Sequence, residues 1–147
     1  MPYAEAIIAE TTRMSSIVPV GVLHKATQDV QFHGYDIPKG TFIMPNFRYI
    51  HYDPRNWDEP EEFRPERFLS EDGKTLKKHD AFMPFSVGKR VCLGETLARD
   101  TIFLYFTNIF HRFSIRLAEG SKDATLESAV GFLLAPQDFN IVLQERV

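Results

Sequence analysis

Apolar positions recur at helical spacing from the first residues. In Pro2-Tyr3-Ala4-Glu5-Ala6-Ile7-Ile8-Ala9-Glu10, Ala4, Ile7 and Ile8 share one face, and Pro is tolerated in a first turn, where its missing N–H is not needed. The pattern predicts a helix that starts abruptly. Such a start has two readings, a trimmed domain edge or a chain lacking an N-terminal portion. Residues 17–23 are apolar but broken by Pro19 and Gly21, which predicts an extended, buried segment. Val30-Gln31-Phe32 and Thr41-Phe42-Ile43-Met44 read as strands, with a turn at Ile37-Pro38-Lys39-Gly40. Residues 26–44 are therefore expected to form a small antiparallel sheet. Residues 46–51 read as a short helix that stops before Asp53-Pro54.

From residue 53 to 91 periodicity disappears, and Pro54, Pro60, Pro65 and Pro84 interrupt the chain, with Trp57, Phe63 and Phe68 set among charges. Irregular chain of this length stays in a compact domain only when side chains pin it or a ligand organises it. Residues 71–74, Glu-Asp-Gly-Lys, are its expected exposed loop. Residues 93–110 predict a second helix, and Ile102-Phe103-Leu104-Tyr105-Phe106 makes it apolar nearly all round, as in a helix buried within a large protein. A chain of 147 residues has little with which to surround it. Phe113, Ile115 and Leu117, and then Phe139, Ile141 and Leu143, alternate with polar neighbours and predict strands, with a turn region at residues 131–136.

Composition narrows the partners. Apolar types make up 44% and charged types 25%, a globular balance that excludes disorder as the main state. The net charge is -3 and no long basic run offsets it, so nucleic acid is not an expected partner. The 13 Phe residues give this short chain enough rigid apolar area to suit a large core or a flat apolar ligand.

Cys92 is the only cysteine, which excludes an internal disulfide and a cysteine-rich zinc site. It sits in Phe85-Ser86-Val87-Gly88-Lys89-Arg90-Val91-Cys92-Leu93-Gly94, between a Gly-containing turn and the start of the second helix. The positive end of a helix dipole favours negative charge on a nearby sulfur, and hence metal ligation. Arg90 adds a cation, Gly88 permits a tight turn, Phe85 would shield the sulfur, and Gly94 removes a side chain where a planar group would lie against the helix. In isolation a lone cysteine is more often a small buried hydrophobe. His33, His51, His79 and His111 show no metal-ligand spacing and are expected to be solvated or half-buried. Gly88-Lys89 lacks the rest of a phosphate-binding loop, and no Gly-x-Ser-x-Gly elbow is present.

This ten-residue run resembles the haem-binding signature of the cytochrome P450 family, Phe-x-x-Gly-x-Arg-x-Cys-x-Gly, at every fixed position. Glu10-Thr11-Thr12-Arg13 resembles that family's Glu-x-x-Arg helix motif, and Pro65-Glu66-Arg67-Phe68 its Pro-Glu-Arg-Phe motif. On its own the Glu10–Arg13 spacing reads as a surface pair; the resemblance implies a buried network with Arg67 instead. The segment from Pro19 to His24 is similar to one in the animal microsomal branch whose histidine reaches a haem propionate, although Leu23 stands where proline is usual.

The resemblance covers the whole chain but only about the last third of a family member. It implies a mainly α fold with small antiparallel β-sheets (α+β), the C-terminal part of a cytochrome P450 domain at residues 1–147. It further implies Cys92 as the axial ligand of haem (iron protoporphyrin IX), with Phe85, Gly88, Arg90, Gly94 and His24 around the cofactor. Residues 17–23 and 131–135, among them Val18, Val20, Val22 and Leu133, would line the substrate side. The implied reaction inserts one oxygen atom from O2 into a small lipophilic molecule. Electrons would come from NADPH through a flavoprotein, cytochrome P450 reductase, docking near Lys89, Arg99, Lys77 and Lys78. The parent would sit on the cytosolic face of the endoplasmic reticulum membrane through an N-terminal anchor that this chain lacks. Two other readings stay open: a haem-binding chain without turnover, and an incomplete gene product with no activity of its own. Some family members isomerise or dehydrate instead of oxidising.

Overall fold

The computed structural model describes residues 1–120, 125, 127–129 and 131–146. Helix α1 (Pro2–Ser15) starts with Pro in its first turn and ends where Ser16 takes a left-handed conformation, its N–H bonded to the Thr12 carbonyl. The apolar stripe of Ala4, Ile7 and Ile8 is only half-buried. The positions fully enclosed are Ala6, Glu10 and Arg13, so this helix turns charged side chains into the interior.

Residues 26–44 form parts of two sheets instead of the one expected. β1 (His24–Lys25) pairs antiparallel with β4 (Phe42–Ile43), while β2 (Val30–Phe32) pairs with β3 (Tyr35–Ile37). The β2–β3 hairpin turns on His33 and Gly34, both at positive φ (47° and 83°). That is the two-residue loop whose twist matches its strands, and Gly takes the second position without steric cost. The turn at residues 37–40 exists, with the Thr41 N–H bonded to the Pro38 carbonyl, but it leads β3 to β4.

Helix α2 (Phe47–Tyr52) is capped by Asn46, whose side chain accepts from the Tyr49 N–H at 3.0 Å. Residues 17–23 join no helix or strand, with bends at Ile17, Val18 and Val20, and are not buried as expected: Ile17, Val18, Val22 and Leu23 are exposed, Val22 by 82%. Backbone bonds from Arg48 N–H to the Pro19 carbonyl and from Gly21 N–H to the Pro45 carbonyl fix the segment. These bonds hold the main chain at its middle, where Pro19, Val20 and Gly21 are half-buried, and leave the side chains at both ends outward.

The irregular stretch carries two short 3-10 turns, Pro65–Phe68 and Gly88–Arg90. A bridge between Leu69 and Leu76 closes off the exposed loop expected at residues 71–74. Side chains pin the remainder. Trp57 is 1% exposed and donates its indole N–H to the Ile50 carbonyl at 2.9 Å. It packs with Ala6, Phe68 and Ala81, bordered by Ala9, Ile50, Leu69 and Phe82, and His79 stacks on it at 3.8 Å between ring centroids. The core thus lies between α1, α2 and the irregular chain.

Helix α3 (Glu95–Arg112) forms where the second helix was expected, but none of its residues is buried. Leu97, Leu104 and Tyr105 are largely exposed. Its apolar side chains lack the cover the sequence pattern implied, because the described residues of this chain do not enclose the helix. β5 (Phe113–Leu117) pairs antiparallel with β8 (Ile141–Glu145), and a smaller pair joins β6 (Ser128–Ala129) to β7 (Ala135–Pro136).

Candidate functional site

Glu10 and Arg13 lie one turn apart on the inner face of α1, and both side chains are fully buried. Arg13 Nε donates to Glu10 Oε2 at 2.8 Å and Nη2 to Oε1 at 2.9 Å, a two-pronged pair. Arg67 Nε reaches Glu10 Oε1 at 3.0 Å, and the Arg64 backbone N–H reaches the same oxygen at 2.9 Å. Burial alone would push the Glu10 carboxyl up. The hydrogen bonds from Arg13 and Arg64 and the charges of Arg13 and Arg67 outweigh it, and the carboxyl is held below its ordinary value. Arg67 also ties together the first half of the irregular chain through the Asp58 and Glu62 carbonyls. One carboxylate therefore fastens α1 to a segment more than fifty residues away.

The cysteine loop follows. Ser86 and Gly88 both adopt positive φ, 67° and 72°; at Gly88 the absence of Cβ removes the strain. The Gly88–Arg90 turn is closed by the Val91 N–H on the Gly88 carbonyl. The Cys92 N–H bonds the Phe85 carbonyl at 2.8 Å, and the Cys92 carbonyl receives the Glu95 N–H at the head of α3. These bonds present the thiol at the surface, free and exposed. Gly94 caps α3, and a Cβ built there would stand 4.0 Å from Cys92 Sγ.

Phe85 is half-buried, with the Arg99 guanidinium 5.1 Å above its ring. Arg99 also bonds Glu95 at 2.8 Å, so it is engaged within the chain, whereas Lys89, Lys77 and Lys78 are exposed. Arg90 is exposed, and no carboxylate, carbonyl or ring partners its guanidinium among the described residues. His24 is half-buried opposite Ile43, and no hydrogen bond joins it to the cysteine loop. The two apolar segments meet at one point, where the Leu134 N–H bonds the Ile17 carbonyl at 2.9 Å, next to Val18 and Leu133 in the chain; no such bond joins Val20 or Val22 to the second segment among the described residues. Val20 is half-buried, and Val18, Val22 and Leu133 are exposed. A separate cleft of about 670 Å³ opens between α1, the irregular chain and α3, lined by Ile8, Phe82, Phe85 and Arg99 but not by Cys92.

His33 and His111 are exposed and His79 is half-buried, as expected. His51 is not: it is buried, 1% exposed. Its place in Tyr49-Ile50-His51-Tyr52, without a partner at ligand spacing, gave no sign of this, because its ring partners, the Ser16 hydroxyl and the Met83 backbone N–H, are groups that only the fold brings near. Among the described residues no three His, Cys, Asp or Glu side chains are grouped to hold a metal ion, and no helix is long and apolar enough to cross a membrane.

The model of the family described as "Cytochrome P450" matches residues 1–143. The chain belongs to the cytochrome P450 family. It is 44% identical over 146 residues to human cytochrome P450 2U1 and 43% identical to cytochrome P450 18a1 of Drosophila melanogaster, covering 99% of this chain and 27% of each relative. A solved zebrafish cytochrome P450, in a structure "with Abiraterone", superposes with a TM-score of 0.89 at 35% identity, covering all of this chain and 34% of that one. The fold is thus that of a C-terminal part of a cytochrome P450, and the chain spans about a quarter of the length of the curated relatives it matches. The α+β architecture of helices with small antiparallel sheets agrees with this match.

Proposed function

We propose that this chain is the cysteine-bearing part of a haem-thiolate monooxygenase that inserts one oxygen atom from O2 into a lipophilic organic molecule. The observation that carries the proposal is the loop itself, which presents an exposed thiol at the head of α3 close in sequence to Arg90, whose guanidinium has no partner among the described residues. Those groups fit a haem: a sulfur donor for iron, a guanidinium for a propionate, and a residue without side chain at Gly94 beside the sulfur. Bound haem would supply oxygen activation, with the thiolate increasing electron density at iron.

The chain's own residues do the positioning. The Phe85 carbonyl and the start of α3 fix the Cys92 backbone from either side. Arg90, and His24 from β1, would neutralise the propionates. Val18, Val20, Val22 and Leu133 would offer an apolar wall to substrate and keep water from it. Lys89, Lys77 and Lys78 form the exposed basic groups toward which an acidic flavoprotein reductase, carrying electrons from NADPH, would be steered. Attachment to the endoplasmic reticulum membrane belongs to the same reading and rests on the family's microsomal members.

Replacing Cys92 with Ala in the intact protein should abolish the red-shifted ferrous carbonyl band. A mutant that keeps the band overturns the assignment. The exposed apolar faces of α3 favour a second reading for this chain in isolation, a haem binder without turnover. A ferrous carbonyl spectrum together with a turnover assay separates the two.

A further inference from the structure

His51 on α2 is enclosed between the charged network and the chain leading to Cys92. Its own carbonyl accepts from Arg13 Nη1 at 2.7 Å. On the ring, Nε2 faces the Met83 backbone N–H at 3.2 Å. A backbone N–H can only donate, so Nε2 is the bare nitrogen and the ring proton resides on Nδ1. Nδ1 lies 3.4 Å from Ser16 Oγ. That hydroxyl donates to the Arg13 carbonyl at 2.8 Å and so has a lone pair to offer Nδ1–H. Both ring nitrogens therefore have a defined role.

Met83 opens a turn that the Ser86 N–H closes on the Met83 carbonyl at 3.1 Å, and Phe85, inside that turn, binds the Cys92 N–H. A single turn thus separates the imidazole from the amide of the cysteine. Packing alone does not account for the residue, since a buried polar ring is costly unless its nitrogens are satisfied and an aromatic hydrocarbon would fill the space without that requirement. Phe82 lies against the same ring, 5.9 Å between centroids. Burial, reinforced by the Arg13 charge, pushes the imidazole down to about 4 and keeps Nε2 an acceptor at neutral pH.

We propose that His51, protonated on Nδ1, is a positioning residue: through the Met83 amide it holds the Cys92 loop in register with the Glu10–Arg13–Arg67 network. Its functional consequence rests on Cys92 being the haem ligand; the link itself does not.

The test compares His51→Phe and His51→Gln in the intact haem protein that carries this segment. Gln retains an acceptor able to reach the Met83 amide, and Phe does not. Hydrogen exchange at the Met83 and Cys92 amides should speed up roughly tenfold or more in His51→Phe, as for a buried amide left without its acceptor. The share of ferrous carbonyl in the red-shifted form should fall with it. In His51→Gln both should return most of the way to wild type. Unchanged exchange in His51→Phe overturns the proposal, as does equal loss in both variants, which would assign the effect to ring packing. Should His51→Phe fail to fold, nitrogen NMR of the wild-type ring decides: a proton on Nδ1 with Nε2 accepting supports the proposal, and a proton on Nε2 overturns it. If exchange responds as expected while Cys92→Ala keeps the red-shifted band, the ligand reading fails and the His51 link stands.

Discussion

Among the described residues Arg90 presents a guanidinium without a partner, while Arg99, near the head of the next helix, lies over Phe85 and binds Glu95. If Cys92 holds haem iron as proposed, this exposed cation two residues away is placed for a haem propionate. Arg90→Ala in the intact protein should therefore weaken haem retention through desalting roughly tenfold, the scale of one charge-assisted hydrogen bond. His24→Ala should have the smaller effect, and unchanged retention in Arg90→Ala would count against a propionate contact. His51 titrates in its own window. Its folded value is depressed from 6.5 to about 4, so its neutral form stabilises the fold fully above pH 6.5, and that stability is lost as pH falls toward 4. The loss should amount to about 1.4 kcal/mol per pH unit across that range. The charged and polar groups facing the ring region are Arg13, Ser16 and the Met83 amide. Glu10, depressed from 4.5, loses its contribution only at lower pH. Denaturation midpoints measured from pH 7 to 4 should show the slope in wild type and a shallower one in His51→Gln.

Helix α1 is the element on which these residues depend, and its inward face is charged. Removing one member of its buried pair leaves the other uncompensated. Arg13→Ala should cost about 3 to 5 kcal/mol, far more than the roughly 0.2 to 0.5 kcal/mol of a surface pair at the same spacing. Unchanged folded yield and melting temperature would show that the pair is not structural. The α1 and α2 elements were legible because capping and spacing are local: Pro2 and Asn46 act within their own turns. The β2–β3 hairpin was missed because Tyr35-Asp36-Ile37 is too short for alternation to register, and His33-Gly34 is not one of the two-residue pairs that most strongly signal a hairpin.

Across the whole molecule, the small core around Trp57 contrasts with the uncovered helix α3. Exposed apolar area of that extent promotes association. Expressed alone, the chain should self-associate in sedimentation or light scattering and should show no monooxygenase turnover even with haem and reductase supplied. The described residues would not enclose a haem held at Cys92 from water, and exclusion of water is what productive oxygen chemistry would require. Hydroxylation of a lipophilic probe at a rate comparable to an intact microsomal enzyme would refute this.

Local chemistry was readable directly from the order of residues: the helix starts, the Gly88 turn, the placement of Cys92 before a helix, and the three motifs that carry the family resemblance. Each depends on neighbours within about ten positions, where covalent geometry limits the outcomes. What could not be read was which faces are enclosed. Residues 17–23 and α3 are as apolar as buried segments yet lie open, because burial depends on what else is present to cover them. His51 shows the converse. Its partners come from positions 13, 16 and 83, and no local pattern encodes a meeting of three separated stretches of chain that forms only when the core around Trp57 closes.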